Sequence, residues 1–129
     1  MIYEKTVDDI LHEKKLPAVA IDEHGLFLYV NQAFEDSYGW KSDELLGKLI
    51  TIIMPPHMRD AHNLGFSRFL TTEKSKIQGK PLPLPVQCRD GTIKQAEHFI
   101  IGEKKNGKWR FAATISPNKS SMPYEKSKS

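Results

Sequence analysis

The chain has 129 residues, of which 39% are hydrophobic and 27% charged, with a formal net charge of +3; this is one domain's worth of sequence with one core. No apolar run reaches membrane-spanning length, and the opening MIYEKTVDDILHEKK lacks the apolar stretch of a signal peptide. A single Cys precludes an internal disulfide and fits a reducing cytoplasm, and the scattered Lys and Arg form no basic face of the kind that nucleic-acid binders carry.

In chain order, Thr6 to Lys14 reads as a short amphipathic helix with Val7, Ile10 and Leu11 on one stripe, ended by Pro17. Ala18–Ile21 and Leu26–Val30 read as strands around an Asp22-Glu23-His24-Gly25 turn, with His24 exposed. Asn31 caps a helix that Gly39 stops, and Ser42 to Gly47 reads as a further helical turn capped by Ser42. Leu49–Met54 leads into the longest helix, Pro55–Leu70.

A polar turn at Thr71–Ser75 then precedes Lys80-Pro81-Leu82-Pro83-Leu84-Pro85-Val86. In a strand, alternate prolines remove the N–H donors from one edge only, so this segment is expected at a sheet margin with Leu82, Leu84 and Val86 facing the core. The other reading is a polyproline linker. Asp90-Gly91 and Asn106-Gly107 mark hairpin turns around Ile93–Ile101 and Trp109–Ile115. Cys88 has no zinc-type spacing and reads as a small strand residue. From Ser116 the chain reads as a disordered tail, basic at Lys119, Lys126 and Lys128. The expected fold is α+β: an antiparallel sheet with short helices packed on one face.

The Pro55–Leu70 helix is the most informative segment. Met58, His62, Phe66 and Phe69 share one face, with Asp60, Asn63 and Ser67 opposite. His62 is then the only ionisable group on the inward stripe, and Gly65 beside it is expected to leave room for something flat. His57 and His98 are expected at the surface. Glu97, His98 and Cys88 form no acid–base pair or triad, so no enzyme is expected.

Several pieces resemble, in order and spacing, the PAS domains of bacterial signalling proteins: Ala20–Gly25, Val30–Phe34 with Tyr38-Gly39-Trp40, Glu44–Gly47, Ile53–Pro56 and Arg89–Thr92. The resemblance implies a five-stranded antiparallel sheet, with residues 1–15 as an N-terminal helix, 16–116 as the PAS domain and 117–129 as the tail.

Met54-Pro55-Pro56 followed by Arg59, His62, Arg68, Phe69, Ile77 and Gly79 is more narrowly similar to the haem-binding PAS domains of oxygen-sensor histidine kinases. That likeness implies haem b as cofactor, His62 as the iron ligand, Arg68 near a propionate, and Gly65, Phe66, Ile77, Leu82 and Leu84 as lining. Leu82 stands where the family has an Arg that hydrogen-bonds bound oxygen, so the wall opposite His62 is expected to be apolar. Without the resemblance, His62 reads first as a core or hydrogen-bonded structural histidine.

The functional expectation is a cytoplasmic bacterial sensory module. It would form a homodimer, through the stripe of the N-terminal helix, and signal to a histidine kinase or other effector in cis or trans, without nucleic acid or membrane. The alternative is a ligand-free PAS dimerisation or docking domain. Pro117 with no heptads after it implies either a lone PAS protein or a piece of a longer chain.

Overall fold

The computed structural model describes residues 5–72 and 79–118. The segment at 73–75, Ile77 and the basic tail lie outside the described residues. The first helix, α1 (Val7–Leu11), is set by a reciprocal cap. The Asp9 N–H donates to Thr6 Oγ1 at 3.1 Å, and the Thr6 N–H donates to Asp9 Oδ2 at 2.8 Å. Strands β1 (Ala18–Asp22) and β2 (Phe27–Val30) follow, then α2 (Gln32–Tyr38), α3 (Ser42–Leu45), a 3-10 turn (Ile50–Ile53) and α4 (Pro56–Thr72). The chain finishes with β3 (Pro81–Gln87), β4 (Ile93–Lys105) and β5 (Lys108–Pro117).

The five strands form one antiparallel sheet in the order β2-β1-β5-β4-β3. The proline strand β3 is therefore marginal, as its missing donors require. Asn106 and Gly107 both take positive φ, 54° and 78°, the left-handed pair that suits the twist of a two-residue hairpin.

Each face of the sheet carries its own core. On the inner face Val19, Ile21, Phe111, Ala113 and Ile115 pack with Phe34, Tyr38 and Leu45 of α2 and α3. Asn31 anchors this side. Its Oδ1 accepts from the N–H groups of Ala18 and Phe34, and its Nδ2 donates to the carbonyls of Glu13 and Leu16. One buried amide thus caps α2 and ties it to β1 and to the segment leaving α1. The Tyr38 hydroxyl donates to the Ile115 carbonyl at 2.7 Å, and Trp40 Nε1 to that of Gln87 at 3.0 Å.

On the outer face α1 lays Val7 and Ile10, both fully buried, against Ala18, Ala20, Ile101 and Ala112. That corrects one expectation: the stripe proposed for self-association is consumed within its own chain. Small alanines let the helix approach closely, and Glu103 accepts from the Val7 N–H at 3.0 Å. Three local expectations also shift. Ser42 is the first residue of α3 rather than its cap, and the Lys41 N–H is instead satisfied by Glu44 Oε1 at 3.0 Å. Helix α4 continues to Thr72, beyond Leu70, and β5 runs through Pro117, so Ser116 and Pro117 belong to the sheet. No helix among the described residues is long and apolar enough to cross a membrane.

Candidate functional site

Helix α4 enters over a buried Pro55, and Arg59 Nε turns back to the Met54 carbonyl at 3.1 Å, steadying its first turn. Met58, Arg59, His62, Phe66, Phe69 and Leu70 are half-buried in one stripe, while Asp60, Asn63 and Ser67 are exposed. The stripe read from helical spacing is therefore the side that faces the sheet.

It meets the sheet through rings. Phe66 lies edge-on to Phe111 at 5.3 Å, and Phe69 edge-on to Phe111 at 5.4 Å and Trp109 at 4.9 Å. Gly25, in the turn between β1 and β2, has a φ of 81°. A Cβ there would sit 3.9 Å from the Phe66 ring, so this turn and the helix are fitted to each other.

His62 stacks on Phe66 with centroids 5.8 Å apart and planes 13° from parallel. Its Nδ1 is buried without a hydrogen-bond partner. Burial pulls the imidazole pKa below its ordinary value, against a weaker opposing hydrogen bond with the Asn63 side chain. The result is a ring whose charged form is disfavoured and whose buried Nδ1 is unsatisfied, an arrangement that costs free energy unless something binds there.

Of the other expected site residues, Phe66 joins His62 directly, while Arg68 is exposed. Gly65 does not do what its position suggested: it is exposed, and a Cβ there would meet nothing within 4 Å. The 3.6-residue period turns it off the inward stripe, so it makes no room beside His62. Leu82 and Leu84 are half-buried on β3, and Ile77 lies outside the described residues.

The sheet wall is not purely apolar. His98, expected at the surface, is only 9% exposed. It sits in β4 between Ala96 and Ile100, both part of the inner core, and is paired across the strands with Leu82 on one side and Ile115 on the other. Its Nδ1 lies 3.2 Å from the Ala96 carbonyl, and burial pulls its pKa down. Pairing with an inward Leu82 was the signal that could have found it.

Two surface clefts lie elsewhere. One of about 380 Å³ is bordered by Tyr38, Cys88, Arg89 and Lys94, and one of about 190 Å³ by Pro81, Pro83, Glu97 and Asn118. Neither is lined by His62. Burial pushes the Cys88 thiol pKa up, away from nucleophilic behaviour. No group of three or more His, Cys, Asp or Glu among the described residues could hold a bare metal ion.

A family model for the PAS fold matches residues 7–100. The chain is 33% identical over 104 residues to the sensor protein FixL of Bradyrhizobium diazoefficiens, covering 81% of this chain and 20% of that protein. It is 27% identical over 105 residues to the oxygen sensor protein DosP of Escherichia coli, covering 81% of this chain and 13% of that protein. The chain thus spans a fifth or less of these curated relatives. Among solved structures, a PAS domain from Desulfitobacterium hafniense superposes with a TM-score of 0.65 at 21% identity, covering 81% of this chain and 93% of that one. That last likeness is one of fold.

Proposed function

This chain belongs to the PAS family, and on that premise we propose that it is a sensory module that holds haem b between α4 and the sheet. His62 is the iron ligand in this reading. The observation that carries it is the buried, unpartnered Nδ1 of an uncharged His62. The donor set fits such a group: no cluster among the described residues could hold a bare ion, whereas haem brings most of its iron's ligands and asks the protein for one or two. Similarity to two sensor proteins, one named as an oxygen sensor, supports the same reading.

When bound, haem supplies an iron centre able to take a small ligand. The chain's own residues do the rest. His62 offers the imidazole, and Phe66, Leu82 and Leu84 exclude water; Ile77, also expected there, falls outside the described residues. Arg68, exposed near the end of the helix, provides a cation for a propionate. Occupancy that favours one placement of α4 over another shifts the population a partner reads. We place the module in the bacterial cytoplasm, without catalysis of its own, as a homodimer acting on a histidine kinase or other effector in cis or trans.

A second reading, a ligand-free docking domain, draws on the aromatic contacts that already bridge α4 and the sheet. Titration with hemin separates the two. One equivalent should produce a saturable Soret shift that His62→Ala abolishes. Absence of that shift leaves the docking domain, and its survival in His62→Ala removes His62 as the iron ligand.

A further inference from the structure

The inner face of the sheet carries a second imidazole, and its hydrogen bonding gives it a definite character. A carbonyl can only accept, so the contact of 3.2 Å between His98 Nδ1 and the Ala96 oxygen puts the ring proton on Nδ1. In the neutral ring, Nε2 is then left with a lone pair and no hydrogen to donate. A histidine whose one nitrogen donates to a backbone carbonyl and whose other is a free base is the arrangement that metal-ligating histidines adopt.

The placement is as informative as the tautomer. Strand alternation puts His98 on the face of Ala96 and Ile100, within the core that also takes in Phe66 and Phe69 of α4. His62 projects into that same core from the helix side, stacked on Phe66. The two imidazoles therefore border the same core, one from α4 and one from β4, and His98 lies in register with Leu82, the residue that was expected to make its wall apolar.

We propose that His98 is the second protein ligand of the haem site, binding through Nε2 on the face opposite His62. This rests on the haem reading given above. It also alters what the site can sense: an incoming ligand must displace His98 rather than fill an open position. A side chain that leaves iron when another ligand arrives moves β4, the central partner of both β3 and β5.

The test is the spin state of the hemin-loaded full chain. Wild type should show a low-spin, six-coordinate absorption spectrum in both ferric and ferrous forms. His98→Leu should keep stoichiometric binding but turn high-spin and five-coordinate, and His98→Gly should return to low spin when free imidazole is added. If His98 fills the position more than about 90% of the time, its removal should raise carbon monoxide affinity about tenfold or more.

A wild-type protein that binds hemin but is five-coordinate overturns the proposal while leaving His62 and haem in place, and it does so without any variant needing to fold. A low-spin spectrum unchanged in His98→Leu also overturns it. Loss of hemin binding altogether removes both this proposal and the reading beneath it.

Discussion

Helices α1 and α4 make the instructive contrast. The five-residue α1 buries two side chains completely, whereas the seventeen-residue α4 buries none completely. Length does not decide how firmly a helix is held. On the outer face, alanines at 18, 20 and 112 give a shallow floor that Val7 and Ile10 can reach. The start of α1 is also fastened, with Glu103 on the Val7 N–H and Arg110 bridging Asp8 at 3.1 Å and Glu103 at 3.5 Å. On the inner face, Phe111 and Trp109 stand between the sheet and α4, so the helix rests on ring edges. A helix held that way can be moved by what binds beneath it.

The contrast breaks most directly by substitution in each helix. Ile10→Ala should cost about 2–5 kcal/mol, as full burial of a large aliphatic side chain implies. Phe69→Ala should cost less, about 1–2 kcal/mol, from a half-buried ring and its edge contacts. Urea unfolding of both variants reads the two costs; a Phe69→Ala loss as large as that of Ile10→Ala would show α4 to be as firmly fixed as α1.

Acid sharpens the comparison further. In the haem-free protein, burial holds His98 below its ordinary pKa of 6.5, so between those two values the unfolded chain binds the proton and the folded one does not. Stability is therefore full above about pH 6.5 and falls as pH drops towards the lowered value, by at most ~1.4 kcal/mol per pH unit for this one group. His98→Leu should flatten that part of the stability–pH curve measured by urea unfolding, and an unchanged slope would place the sensitivity elsewhere. The smallest effect belongs to the outer clasp. Asp8→Asn removes an ion pair whose acid is 67% exposed, so its loss should be under about 1 kcal/mol and shrink further in high salt.

Short-range chemistry was readable from residues alone. Asn31 and Gly39 bracket α2, Asn106-Gly107 forces its turn, and three alternate prolines put β3 at the margin, because each acts through its own backbone within a few positions. The inward stripe of α4, and His62 within it, follow from helical period for the same reason. The position of His98 does not. Strand β4 is covered on both sides, with Ala96 and Ile100 in the inner core and Phe99 and Ile101 against the outer one. Both parities are apolar, so alternation says only that His98 and Glu97 point apart. Which of them turns inward is decided by the register with Leu82 and Ile115, and register is a property of three strands together. Val7 and Ile10 teach the same point: their stripe was visible in the sequence, but only the alanine floor of the folded sheet determined what it would cover.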